Sequence, residues 1–111
     1  MFVFDAFERA TNMQCLAVNR AGEFSPVKNA PGPGVVDSPV TAREALASLH
    51  CQMLKDAGAK IVGEESAAEQ TCQCEISPLV SYAGEGLEEL VKGKTIQLPF
   101  QLDQNTAEEL K

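Results

Sequence analysis

The sequence predicts a mixed α/β fold with one long helix, one short helix and four or five short strands. The long helix is indicated by apolar residues at helical spacing within residues 41–57, followed by Gly58 where a helix commonly ends. At 111 residues the chain has room for one domain with a modest core. The strands are predicted from short apolar or alternating segments, at residues 14–19, 59–63, 72–76, 79–82 and 95–100.

The long helix has a start signal as well as a stop signal. Thr41 and Glu44 have the spacing of a capping box, in which each side chain satisfies the backbone amide of the other residue. One apolar stripe follows along the helix, formed by Ala42, Leu46, Leu49 and Met53.

The first forty residues predict less regular structure. Val3, Phe4 and Phe7 predict a short helix over residues 2–11 that enters the core by its aromatic face. After the strand at residues 14–19, proline and glycine recur up to Pro39, and this composition opposes a regular backbone ladder.

The second half alternates short elements with turns. The cysteines at 72 and 74 are predicted on the core face of their strand, and residues 87–91 are predicted as one helical turn. The connecting segments are an acidic loop at 64–71, a glycine turn at 84–86 and a frayed polar tail at 103–111.

The charge balance argues against nucleic acid as a partner. Nine Lys plus Arg against sixteen Asp plus Glu give a formal net charge of −7, which repels phosphate backbones. No apolar run is long enough to cross a bilayer, and the amino end lacks the features of a secretory signal. We therefore expect a cytoplasmic protein that binds neither nucleic acid nor membrane.

The four cysteines, at positions 15, 51, 72 and 74, are expected to be reduced thiols without a metal. Two disulfides, or a zinc site that joins Cys72 and Cys74 with Cys15, Cys51 or His50, are the alternatives, but Cys-x-Cys differs from the usual Cys-x₂₋₄-Cys knuckle. His50 is the single histidine and flanks the helical apolar stripe. A packed or half-exposed helix residue is favoured over a catalytic pair with Ser or Cys.

No nucleotide-binding loop is visible. The pairs Gly32-x-Gly34 and Gly84-x-Gly86 do not extend to a phosphate-binding motif, so they are interpreted as turn glycines that supply positive φ. The acidic pairs and runs at 64–65 and 85–89 are interpreted as solvated faces in preference to Mg²⁺ ligands.

Lys28 lies within the octapeptide Glu-Phe-Ser-Pro-Val-Lys-Asn-Ala, residues 23–30, where a predicted strand becomes a loop. Such a position can present an ammonium group rigidly. Most lysines are surface residues, however, so physical reasoning alone favours that interpretation.

The octapeptide resembles a signature of the UDP-N-acetylhexosamine pyrophosphorylases. Three further blocks resemble the same family in the same order, at residues 2–7, 37–43 and 74–88. The resemblance implies the C-terminal part of a nucleotidyltransferase, with residues 1–30 as the end of the catalytic domain and 31–111 as a C-terminal domain segment.

The family transfers a uridylyl group from UTP to N-acetylglucosamine 1-phosphate or N-acetylgalactosamine 1-phosphate, with Mg²⁺ as cofactor. The resemblance makes UTP, the N-acetylhexosamine 1-phosphate and the UDP-sugar the expected partners of the complete enzyme, and a homo-oligomer stays open. It also makes Lys28 the lysine that binds the sugar-nucleotide phosphates, while no metal or cofactor is expected on this chain alone.

The departures from the family imply a partial enzyme. The family's Gly-rich nucleotide loop, its uracil and sugar contacts and a second phosphate lysine all precede the matched stretch, and the loop at 64–71 is shorter than usual. The isolated chain is therefore expected to be inactive. Two hypotheses remain: a catalytic portion that needs its nucleotide-binding domain, and a non-catalytic interaction or regulatory module.

Overall fold

The computed structural model describes residues 3–63 and 74–111, and within them the chain has the predicted mixed α/β class. A 3₁₀ helix spans Val3–Arg9. The remaining elements, in chain order, are α1 (Arg20–Glu23), α2 (Pro39–Asp56), β1 (Lys60–Val62), β2 (Cys74–Ile76), α3 (Leu87–Val91), β3 (Thr95–Gln97), β4 (Phe100–Leu102) and α4 (Gln104–Glu109).

Helix α2 is the longest element, as predicted, but it begins two residues earlier. Ser38 is the N-cap, and its side chain and that of Thr41 form the capping box. The predicted pairing of Thr41 with Glu44 is therefore wrong. Pro39 fits the first helical position because the amide that proline lacks would have no partner there. At the other end Gly58 has the predicted left-handed backbone, with φ of 88°.

The strands form two small parallel sheets, one of β1 with β3 and the other of β2 with β4. The stretch 95–100, predicted as one extended segment, is split between these sheets. The amide of Leu98 donates to the Val62 carbonyl, at 2.9 Å, and continues the first pairing. Pro99 follows through a cis peptide bond and cannot donate to a ladder, so the chain passes to the second sheet at this point.

The core lies between α2, the strands and the two C-terminal helices. Leu54, on α2, is completely inaccessible to solvent, and helix α3 buries Leu87 and Val91. The buried hydrophobic residues are Leu54, Cys74, Ile76, Leu87, Val91, Ile96, Leu98, Leu102 and Ala107. The first of them along the chain is Leu54.

Residues 3–37, by contrast, include no buried residue. The prediction that the first helix enters the core is wrong: Phe4 and Phe7 pack edge to face on each other, with ring centroids 5.6 Å apart, and Phe4 is 68% exposed. The strand predicted at 14–19 is also wrong, because Leu16 is 88% exposed and the segment has no pairing partner among the described residues.

Two further predictions for the C-terminal half are corrected. Residues 79–82 form turns instead of a strand, because the amides of Val80 and Ser81 both donate to the Ser77 carbonyl. The tail is helix α4 and is not frayed, since Asp103 caps it and Ala107 packs into the core. The loop predicted at 64–71 and Cys72 lie outside the described residues. No helix among the described residues is long and apolar enough to cross a membrane.

Candidate functional site

Lys28 lies in the loop between α1 and α2, and its backbone is fixed to the start of α2. The amides of Lys28 and Asn29 both donate to the carbonyl oxygen of Asp37, at 2.7 and 2.9 Å. The Asn29 side-chain amide donates to the Val36 carbonyl, also at 2.9 Å. Three hydrogen bonds thus close the segment 28–37 into a loop at its base.

The point of attachment adjoins the capped N-terminus of α2. Asp37 has φ of 54°, in the left-handed region, and is the one non-glycine residue in the described part of the chain with positive φ. Ser38 comes next, is 1% exposed, and caps α2. Its hydroxyl also donates to the Val35 carbonyl at 3.4 Å. The loop that carries Lys28 is therefore joined to α2 through a buried residue.

The Lys28 side chain itself is exposed, and it forms no salt bridge within residues 3–63 and 74–111. An ammonium group in this state can bind an external anion. The helix terminus beside the loop carries partial positive charge from its aligned peptide dipoles, which adds to the same preference. The described residues thus present a cation on a closed loop, and the nearby N-terminus of α2 also carries partial positive charge.

A second polar cluster surrounds Glu85, in the C-terminal half. The Glu85 carboxylate accepts the amides of Tyr82 and Ala83, both at 2.7 Å, and the Ser81 hydroxyl at 3.2 Å. The Ser81 hydroxyl accepts the Gly84 amide at 3.0 Å. These backbone bonds, from Tyr82 first and then Ala83, lower the pKa of Glu85 from 4.5 to about 2.

Glu85 is exposed, in agreement with the interpretation of residues 85–89 as a solvated face, and in addition its carboxylate organises the turn before α3. A signal was present in Ser81-x-x-Gly84-Glu85, because hydroxyl and carboxylate side chains commonly bond to nearby backbone amides in turns. Of the four glycines predicted to have positive φ, Gly34 (71°), Gly84 (102°) and Gly86 (73°) confirm the prediction, whereas it is wrong for Gly32.

A pocket of about 310 Å³ lies between this turn and α2, and Lys28 is not part of its lining. Its two carboxylates already have partners, because Asp56 accepts the Gln52 side-chain amide at 2.7 Å and Glu88 pairs with Lys92. The lining residues are Met53, Asp56, Ala57, Ala83, Gly84, Gly86 and Glu88. The candidate lysine and the pocket are thus separate features.

His50 has the packed position that was predicted for it. Its ring nitrogen Nδ1 accepts the Ile76 amide at 3.1 Å, which links α2 to β2. Cys15, Cys51 and Cys74 form no disulfide in the described part of the chain, and Cys74 is buried on the core face of β2 as predicted. No three metal-binding side chains converge in the described part of the chain. The predicted absence of zinc stays a prediction, since Cys72 lies outside that part.

In both sequence and structure, the chain is similar to proteins named as UDP-N-acetylhexosamine or UDP-N-acetylglucosamine pyrophosphorylases. The chain is 44% identical to the UDP-N-acetylhexosamine pyrophosphorylase-like protein 1 of Homo sapiens, over 97% of the chain and 23% of that protein. It is 40% identical to the UDP-N-acetylglucosamine pyrophosphorylase of Saccharomyces cerevisiae, over 84% of the chain and 18% of the relative.

A solved structure from Entamoeba histolytica, assigned as a UDP-N-acetylglucosamine pyrophosphorylase, superposes with a TM-score of 0.75 at 39% identity. The superposition covers 93% of the chain and 24% of the solved one. No protein-family model matches the chain. The chain spans about a fifth of the length of the curated relatives it matches, in their C-terminal portion.

Proposed function

We propose that this chain, which corresponds to the C-terminal portion of the UDP-N-acetylhexosamine pyrophosphorylase family, contributes the phosphate-binding Lys28 to a uridylyltransferase. The complete enzyme would form UDP-N-acetylglucosamine or UDP-N-acetylgalactosamine and pyrophosphate. Its nucleotide loop, its uracil and sugar contacts and a second lysine would come from the other four-fifths of the enzyme. In this proposal, residues 1–30 form the end of the catalytic domain and residues 31–111 form the C-terminal segment.

The observation that supports this proposal best is the setting of Lys28. Its loop belongs to one of four blocks that resemble the family, and relatives of about 40% identity match nearly the whole chain. The loop is closed by three hydrogen bonds, while the ammonium has no carboxylate partner among the described residues. A lysine with a fixed backbone and a free charge suits the binding of a phosphate.

The chemistry needs such a charge. A phosphate oxygen of the sugar 1-phosphate attacks the α-phosphorus of UTP and forms the new P–O bond. The bond from that phosphorus to the oxygen bridging to the β-phosphate breaks, and pyrophosphate leaves with the electron pair. Because two anions must approach each other, positioned cations lower the barrier more than covalent catalysis could. Lys28 would hold the phosphates and stabilise the charge that gathers between them.

Magnesium is the cofactor that the family implies, and we propose that this chain alone does not bind it. Mg²⁺ prefers near-octahedral oxygen ligands, commonly one or two carboxylates with waters and substrate phosphates. No set of three metal-binding side chains converges within residues 3–63 and 74–111. We therefore expect Mg²⁺ to be bound by the remainder of the complete enzyme, and no step is assigned to it on this chain.

A non-catalytic interaction or regulatory module is the second candidate. It is favoured by the position of the core, because the buried hydrophobic residues that the structure describes all lie between Leu54 and Ala107, distant in sequence from Lys28. A fold of this kind could persist without catalysis. A cytoplasmic location, with neither nucleic acid nor membrane as partner, is our prediction for either candidate.

A pyrophosphate-release assay separates the candidates. With UTP, N-acetylglucosamine 1-phosphate and Mg²⁺, we expect no turnover by the purified chain, because one lysine cannot align two polyanions. Addition of the first four-fifths of the S. cerevisiae relative, as a separate polypeptide, should restore turnover that Lys28→Ala removes. Turnover by the chain alone, abolished by Lys28→Ala, would contradict the proposal that other contacts are required. A combined activity that is unaffected by Lys28→Ala would favour the non-catalytic module.

A further inference from the structure

We propose that Asp37 is the positioning residue for Lys28, because its left-handed backbone aims its carbonyl oxygen at the amides of Lys28 and Asn29. This inference rests on the phosphate-binding role proposed for Lys28. Asp37 would not touch the substrate. It would act by fixing the point from which the lysine side chain extends.

The backbone of Asp37 is unusual enough to need an explanation. Its φ of 54° lies in the left-handed region, which is uncommon for every residue except glycine, although Asn and Asp adopt it more often than the others. Such a conformation persists only where the surroundings stabilise it, and it is found repeatedly at functional positions. Here the surroundings are two amide bonds to one oxygen, from Lys28 at 2.7 Å and from Asn29 at 2.9 Å.

These bonds determine the shape of the whole loop. The Asn29 side chain adds a third bond to the base, to the carbonyl of Val36. At the tip the Val35 amide donates to the Gly32 carbonyl at 3.1 Å. A shift of Asp37 toward the ordinary right-handed or extended region would turn its carbonyl away, and the Lys28 amide would lose its acceptor.

The orientation of Asp37 is in turn determined by the helix that follows it, α2. Ser38, the next residue, is 1% exposed and caps that helix through Thr41. Lys28 lies in the region that has no buried residue. Its backbone is nevertheless hydrogen-bonded to the residue before the cap of an 18-residue helix that packs on the core. Asp37 is the residue at which this connection is made. Preorganisation of this kind matters because small misplacements of a charged group reduce rates steeply.

The side chain of Asp37 offers a competing explanation. Its carboxylate could attract the Lys28 ammonium directly, but no salt bridge between the two is formed in this structure. Substitutions can separate backbone conformation from charge. Asn tolerates the left-handed region without a charge, Gly adopts it without a side chain, and Val opposes it because it is β-branched.

The test uses a joined enzyme, in which the first four-fifths of the S. cerevisiae relative precede this full chain. We expect Asp37→Val to lower kcat about tenfold to hundredfold with little change in KM, as a displaced transition-state contact would. Asp37→Asn and Asp37→Gly should stay within about threefold of the parent, because both allow the same backbone. In the 111-residue chain, Asp37→Val should also speed hydrogen exchange at the Lys28 and Asn29 amides.

The outcomes distinguish this inference from the proposed function. If Lys28→Ala impairs the joined enzyme and Asp37→Val does not, Asp37 has no positioning role and the role of Lys28 stands. Equal losses in the Asn, Gly and Val variants would assign the effect to the carboxylate and overturn the inference. Normal kinetics in Lys28→Ala would remove the premise itself. If Asp37→Val lowers the melting temperature, Asn29→Ala replaces it, since that variant removes the donor to Val36 without adding a charge beside Lys28; it should reduce kcat severalfold, and an unchanged kcat would overturn the inference.

Discussion

Residues 3–37 and residues 38–111 have opposite properties. The first region has no buried residue; Phe4 and Phe7 pack on each other, and Phe24 packs on the Arg20 guanidinium. Among the residues that the structure describes, the second region contains all the buried hydrophobic residues and both sheets. The candidate functional lysine nevertheless lies in the first region, attached to the second at Asp37 and Ser38. The difference teaches that folding stability and candidate chemistry are located in separate parts of this chain.

The largest expected effect tests where stability resides. Leu54→Ala removes a completely buried side chain from α2 and should lower the free energy of unfolding by about 2–5 kcal/mol. The matched control is Leu16→Ala, at an 88% exposed position, which should change it by less than about 0.5 kcal/mol. Urea denaturation measures both. Equal destabilisation by the two substitutions would show that residues 3–37 share the core.

The junction between the regions should have an intermediate effect. Ser38→Ala removes the side chain that caps α2 and should cost about 1 kcal/mol, whereas Ser38→Asp should retain most of the stability. Ser48→Ala is the control, because Ser48 is an exposed residue within the same helix. Thermal unfolding compares the three variants. If Ser38→Ala melts like the parent, the cap does not hold the two regions together.

A smaller effect within the second region depends on pH. The pKa of Glu85 is about 2 in the folded chain against an ordinary 4.5, because backbone amides bind its charged form. Its stabilising contribution is therefore complete above about 4.5 and is lost as the pH falls through about 2. Glu85→Gln should lower the melting temperature by a few degrees at neutral pH.

That difference between Glu85→Gln and the parent should shrink steadily as the medium is acidified below about pH 5. Glu89→Gln, on the exposed side of α3, is the control and should have little effect at any pH. A difference that is independent of pH would mean that Glu85 acts by packing and not through its charge.

Elements with strong local signals were predictable from the sequence. Helix α2, the glycine that ends it, β1 and the turn of α3 follow from periodicity and from terminal residues, which act over a few positions. Phe4 was predicted in a buried helix and Leu16 in a strand, because apolar spacing indicates which residues share one face of a helix or strand. It does not say whether a partner surface covers that face.

The site was predictable only in part. The octapeptide identified Lys28. Its backbone hydrogen bond, however, is to Asp37, nine residues later in the chain, and the octapeptide does not include that partner. Aspartate tolerates positive φ, but many aspartates have ordinary backbones. The sequence therefore does not predict the backbone conformation of Asp37. Pro99 illustrates the same limit, because a proline in an extended stretch does not reveal that two different sheets lie on either side.

The most direct measurement is the kinetics of Lys28→Ala in the joined enzyme, together with its melting temperature. A preorganised charge contact aimed at the transition state is worth roughly 3–4 kcal/mol, so kcat/KM should fall about a hundredfold to a thousandfold. The melting temperature should stay unchanged, since the exposed lysine contributes nothing to the core. Lys28→Arg should recover part of the activity, because guanidinium retains the charge with a different geometry. Near-normal kinetics in Lys28→Ala, or inactivity that comes only from unfolding, would contradict the assignment of chemistry to this region.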